Sequence, residues 1–162
     1  MSCRYGVVVV GAGPVGLCLS NLLGAAGVKN LVLEKHPGLL DLPKARGLRG
    51  QSMEIMAALG LDKAVRAKSR TIEHRRVVWS NKLGGEIQAE VEGKLRSTGQ
   101  EEDALIAQAD LERVLLTAAQ ASPETSTVLF EHELQSFKQS SSGVECVVRN
   151  RKEDAEVNFS CR

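Results

Sequence analysis

The stretch that most constrains this chain runs from Tyr5 to Lys35, YGVVVVGAGPVGLCLSNLLGAAGVKNLVLEK. Four consecutive valines, Val7 to Val10, have the pattern of a strand buried on both faces. Gly11-Ala12-Gly13-Pro14-Val15-Gly16 follows and matches G-x-G-x-x-G. Leu19, Leu22, Leu23 and Ala26 then recur at i, i+3, i+4 and i+7, the spacing of one helix face, and Gly27 stands where a helix stop is expected. Leu31-Val32-Leu33 reads as a second buried strand ending at Glu34. The order predicts a βαβ unit with its glycines at the first strand-to-helix turn, the context the motif requires.

Each residue type in that turn has a chemical reason. Gly11 permits the tight turn, Gly13 leaves room for a pyrophosphate against the backbone, and Gly16 lets the helix pack close to the strand. The helix start offers N–H groups and a partial positive charge to phosphates, and Pro14 near it loses little by lacking an N–H. Glu34 lies 18 residues after Gly16, near the offset expected of a carboxylate that binds a ribose diol. A carboxylate there repels a 2′-phosphate, so NADP is disfavoured in this site. The pattern points to dinucleotide binding.

Two other readings of the same stretch fail. Tyr5 to Val28 holds no charge over 24 residues, long enough for a bilayer, but it contains six glycines, a proline and Asn21. A signal peptide cleaved near Ala26 would discard a well-formed nucleotide motif. No membrane span is expected. With 21 basic and 20 acidic residues the net charge is +1, which draws the chain to neither nucleic acid nor anionic lipid. The basic run from Lys63 to Arg76 lacks aromatic interleaving and suits a solvated face. Cys3, Cys18, Cys146 and Cys161 show no metal or C-x-x-C spacing and read as free thiols of a reducing, cytoplasmic compartment. His36, His74 and His132 form no ligand signature, so no metal is expected.

Beyond Glu34 the chain reads as a loop to Gly50, a short helix from Met53 to Leu59 capped by Ser52, and another from Asp62 to Lys68. Val77-Val78-Trp79 and Ile87 to Val91 predict a hairpin around Asn81 to Gly85, followed by a polar loop from Glu92 to Asp103. Leu111, Val114, Leu115 and Ala118 mark a helix capped by Asp110 and ended by Pro123. Thr127 to Phe130 predicts a third parallel strand. Leu134 to Lys138, Val144 to Arg149 and Ala155 to Phe159 predict an antiparallel meander with polar turns. At 162 residues the chain has room for one domain with a real core.

The segments GAGPVGLCLSNLLGAAGVKNLVLEK, PKARGLRGQSMEIMAALGL and QADLERVLL, in this order and spacing, resemble the FAD-dependent aromatic hydroxylases. These are the single-component flavoprotein monooxygenases of the para-hydroxybenzoate and phenol hydroxylase type. The resemblance covers essentially the whole chain. It implies an α/β fold: a Rossmann-like FAD-binding βαβ with a parallel sheet, an antiparallel meander and, over residues 70–104, part of a β-rich substrate-binding sheet. It implies that Gly11, Ala12, Gly13, Pro14, Val15, Gly16 and Glu34, with Lys35 beside it, hold the ADP half of FAD. By residue type alone, Lys35 and Lys44 read as surface charges. It further implies that Arg46 approaches the flavin side and that Gln108 contacts the ribityl and pyrophosphate region. A guanidinium can pair with phosphate oxygens, and a carboxamide can donate and accept among hydroxyls.

In such an enzyme NADPH or NADH reduces FAD, O2 adds to give a flavin hydroperoxide, and a small aromatic substrate, typically a phenol, attacks it. No acid–base residue is assignable, since Glu73 and His74 fit a polar surface strand equally well. Members of that family run to several hundred residues and carry Asp-Gly and Gly-Asp motifs, neither of which occurs in this chain. The expectation is therefore an incomplete FAD-binding domain over 1–162, the N-terminal portion of a hydroxylase. Two alternatives stand beside it. One is another FAD or NAD oxidoreductase, against which the second and third segments argue. The other is a catalytically inactive, truncated nucleotide-binding or interaction protein.

Overall fold

The computed structural model describes residues 5–39, 47–70, 75–93 and 104–162. The chain divides into two compact units, residues 1–44 with 108–162, and residues 45–107. In the first, β1 (Val7–Val10), α1 (Pro14–Ala25) and β2 (Asn30–Leu33) form the expected βαβ unit. In the second lie α2 (Gly50–Ala58), α3 (Asp62–Lys68), β3 (Arg75–Ser80) and β4 (Ile87–Gly93). The chain then returns to the first unit with α4 (Gln108–Gln120), β5 (Ser126–Leu129), β6 (His132–Ser140), β7 (Gly143–Asn150) and β8 (Ala155–Cys161).

The parallel sheet has the order β1-β2-β5, and its register places Val7 opposite Asn30 and Asn30 opposite Ser126. Side chains of β2 alternate between two covered faces, which is why all four of its residues are buried. Leu31 and Leu33 join Tyr5, Cys146, Val148 and Cys161 in a core between the sheet and the meander β6-β7-β8. Val9 and Val32, of opposite parity, lie on the face that α1 covers. Burial pushes the Cys146 thiol up, with the nearby Cys161 adding to it, as suits inert core thiols. Tyr5 bridges Cys161 in parallel and meets Phe159 edge-on at 6.5 Å.

Two expectations about this unit are corrected. The valine run is not buried on both faces. Val10 is 60% exposed, because among the described strands β1 pairs only with β2 and stands at the edge of the sheet. Nor does α1 bury its leucine stripe. Leu17 and Ser20 are fully buried, whereas Leu19, Leu22 and Ala26 are exposed. The helix is apolar almost all round, so periodicity alone does not choose its inward face. Close approach at Gly16 and a hydrogen-bonded cluster at Ser20 choose it instead.

That cluster is polar and fully enclosed. Ser20 Oγ donates to Asn30 Oδ1 at 2.6 Å, while Asn30 Nδ2 lies within hydrogen-bond reach of the carbonyls of Ser20, Val28 and Thr125 and of Ser126 Oγ. It ties α1 to β2 and β5. Asn21 Nδ2 reaches the Leu115 carbonyl at 2.9 Å and ties α1 to α4.

α4 buries Leu111 and Leu115 as expected, together with Glu112 and Ala119. It begins at Gln108, so Asp110 is not its cap but sits in the first turn, paired with Arg113 at 2.9 Å. In the second unit α2 begins at Gly50 with Arg49 at the cap position, three residues before the expected Ser52. Met53, Met56, Val65 and Ile106 are buried, and β3 and β4 pair antiparallel across the expected turn. Among the described residues no helix is long and apolar enough to cross a membrane.

Candidate functional site

Ligands of open parallel sheets bind beyond the carboxyl ends of the strands. In this chain that edge opens into a cleft of about 510 Å³ within the first unit. Its floor is the turn Val10 to Pro14, and its sides carry Glu34, Gln108 and His132. Gly11 takes φ +100°, a left-handed value that glycine adopts without strain, and its N–H donates to the Leu33 carbonyl at 2.7 Å. A Cβ built at Gly13 would meet nothing within 4 Å, so the backbone there faces open space. Gly16 differs: its Cβ would overlap the Gly11 carbonyl oxygen. α1 starts without a side-chain cap or an acidic residue in its first turn, which leaves that turn open to an anion.

Glu34 is held firmly at the mouth of this turn. Its Oε2 accepts the Ala12 N–H at 2.9 Å, and its Oε1 accepts the His36 N–H at 3.0 Å and lies 2.6 Å from His36 Nδ1. The backbone ladder continues past β2, with Glu34 N–H donating to the Leu129 carbonyl and His132 N–H to the Glu34 carbonyl. Three of the carboxylate's roughly four acceptor positions are therefore taken. One incoming hydroxyl can be accepted directly; a second requires the His36 ring to give way. Burial pushes the Glu34 carboxyl up, but the Ala12 and His36 amides and the His36 ring together outweigh it, and the net shift is downward.

A depressed carboxyl stabilises the fold fully above its ordinary value of 4.5, and the effect is lost as pH falls through the lowered one. We therefore expect the melting temperature of the wild type to exceed that of Glu34→Gln by a constant margin at neutral pH. The margin should shrink only below the ordinary carboxyl range. Circular dichroism melts from about pH 7 to about pH 3 check this, and a difference independent of pH would refute it.

The cleft brings Gly11, Ala12, Gly13, Pro14, Glu34, Lys35 and Gln108 together. Val15 and Gly16 are not part of its lining; Val15 is exposed and Gly16 packs beneath Gly11. Arg46, Lys44, Glu73 and His74 fall outside the described residues. Four titratable residues not singled out from the sequence as site residues also line it: His36, Glu112, His132 and Glu133. The Phe130 carbonyl 2.6 Å from His132 Nδ1 can only accept, so the proton sits on Nδ1 and Nε2 of the neutral ring is an acceptor. Arg151 beside Glu133 holds that carboxyl below its usual range. Glu131, at φ +59°, turns the chain from β5 into β6. Its N–H donates to the His36 carbonyl. The position of His132 and Glu133, directly after a predicted parallel strand, was the signal that could have found them.

Residues 4–162 match the family model described as "FAD binding domain". The 3-(3-hydroxy-phenyl)propionate/3-hydroxycinnamic acid hydroxylase of Comamonas testosteroni is 32% identical over 144 residues, covering 89% of this chain and 24% of that protein. Aklavinone-11 hydroxylase, solved as a ternary complex with FAD and aklavinone, superposes with a TM-score of 0.84 at 27% identity, over 99% of this chain and 32% of that one. The p-nitrophenol 4-monooxygenase PnpA of Pseudomonas putida DLL-E4 shares the fold, with a TM-score of 0.83 at 23% identity, over 99% of this chain and 40% of that one. The chain thus spans about a quarter to two-fifths of the length of these proteins. The family match runs over nearly the whole chain, and the chain belongs to the FAD-binding domain family of the aromatic hydroxylases.

Proposed function

We propose that this chain holds the ADP portion of FAD and serves as the cofactor-binding part of an NAD(P)H-dependent monooxygenase that hydroxylates a phenolic or other aromatic substrate. The observation that carries the proposal is Glu34, tied to the Ala12 N–H and aimed across the glycine turn at the mouth of the cleft. The residues fit the group: open space beside Gly13 admits a pyrophosphate, and a cleft of about 510 Å³ is of ligand size. When bound, FAD supplies the redox chemistry with the nicotinamide and O2.

In this reading the amides after Gly13 meet the phosphates, Gly11 and Gly16 shape the turn, and Glu34 accepts the ribose hydroxyls. Lys35 adds positive charge beside the ribose, Arg46 serves the flavin side, and Gln108 contacts the ribityl and pyrophosphate region. Residues 70–104 contribute to the substrate sheet. A reducing, cytoplasmic setting agrees with the thiols Cys18, Cys146 and Cys161, which are unpaired among the described residues.

The test is a visible absorption spectrum of the purified chain after incubation with FAD and desalting. A retained flavin spectrum is expected. A colourless protein that is still folded by circular dichroism would overturn the proposal for this chain.

A further inference from the structure

Glu112 is a carboxylate with only 4% exposure, on the first turns of α4 and in the wall of the cleft. Burying such a group is costly unless it is hydrogen-bonded, and the Gln108 side chain supplies a bond, donating from Nε2 to Glu112 Oε1 at 2.7 Å. In this bond the Glu112 oxygen is the acceptor and the amide nitrogen the donor. The bond therefore decides which end of the Gln108 carboxamide turns toward the carboxylate: the nitrogen faces Glu112, and the carbonyl oxygen and the second N–H are left for other partners. A carbonyl beside an N–H suits neighbouring hydroxyls, which both donate and accept. It suits a pyrophosphate poorly, since phosphate oxygens only accept and a carboxylate stands behind the amide.

We infer that Glu112 is a positioning residue, which orients Gln108 to recognise the polyol chain of the cofactor rather than its pyrophosphate. The inference rests on the nucleotide reading of the cleft and deepens it. The bland alternative is that Gln108 and Glu112, one turn apart, merely steady the start of the helix.

Titrating the 162-residue chain with FAD and, separately, with ADP distinguishes the two, because only FAD carries the polyol. Glu112→Gln keeps the volume but can also donate, so it releases the constraint on Gln108. We expect its FAD affinity to fall about tenfold, equivalent to about 1.4 kcal/mol, with ADP affinity unchanged. In a Gln108→Ala background the same substitution should cause no further loss. Should Glu112→Gln not fold, Glu112→Asp, which withdraws the acceptor by one methylene, carries the same comparison.

Equal losses for ADP and FAD, additive losses in the double variant, or equal wild-type affinities for the two ligands would overturn the inference while leaving nucleotide binding intact. A wild-type chain that binds neither ligand would overturn the nucleotide reading itself, and the inference with it.

Discussion

Gly16→Ala is expected to destabilise the βαβ unit by at least about 3 kcal/mol, the upper part of the range for forcing an extra carbon into a packed site. The sign is the informative part. Within a solvated helix, glycine to alanine stabilises by about 1 kcal/mol, because alanine loses less backbone entropy. At Gly16 the added Cβ would overlap the Gly11 carbonyl oxygen and touch Val9 Cγ1 at 3.4 Å. The first contact is with backbone, which no rotamer change relieves. Relief requires α1 to lift from the sheet, and that would uncover Leu17 and part the hydrogen bonds of Ser20. Gly13→Ala provides the contrast, since a Cβ there meets nothing within 4 Å and the backbone at φ −75° suits any residue. It should leave the melting temperature within about a degree or two while weakening nucleotide binding, a change expected of an open surface position. Thermal melts and FAD titrations of the two variants check the pair. Equal melting temperatures for Gly16→Ala and the wild type would show that the close approach is not required.

Asn30→Ala is expected to cost roughly 3–5 kcal/mol, although Asn30 is a polar residue at the first position of β2. Its carboxamide is fully buried and is the shared partner of Ser20, Val28, Thr125 and Ser126. Truncation leaves the Ser20 hydroxyl and several carbonyls enclosed without their partner, at about 1–3 kcal/mol for each group that water does not reach. Ser20→Ala removes one hydroxyl and leaves Asn30 with its backbone partners, so about 1 kcal/mol is expected there. Urea unfolding of both variants measures the difference. A loss below about 1 kcal/mol for Asn30→Ala would mean that water or a local shift replaces the network. The cluster lies away from the cleft lining, so the FAD affinity of the folded fraction should not change.

Much of the fold was legible along the chain. The valine run, the spaced glycines, Leu31-Val32-Leu33 and Glu34 lie within 35 residues, and their order alone requires a strand, a turn, a helix and a strand. The meander was equally readable, because alternating residues separated by polar turns need only nearest-neighbour pairing; β6, β7 and β8 outrun the expected spans by a residue or two. Caps were read less well. Ser52 and Asp110 are good cap residues by type, yet α2 and α4 each begin two residues earlier, where the chain geometry sets the first helical hydrogen bond.

The inward face of α1 could not be read, since Leu19 and Leu22 are as apolar as Leu17. Nor could the gathering of His36, Glu112, His132 and Glu133 around the glycine turn, because those residues are up to 97 positions apart and meet through the parallel pairing of β2 with β5 and the packing of α4 on α1. The sequence by itself determined the βαβ unit, the place of the glycines and the acid at the end of β2. Those depend on steric freedom and periodicity, which are properties of neighbouring residues. Tertiary structure alone decided which face of α1 is buried and which side chains share the cleft. Those depend on contacts across the chain, such as the bonds that tie Ser20 to Asn30 and Asn21 to the Leu115 carbonyl, which no local preference specifies.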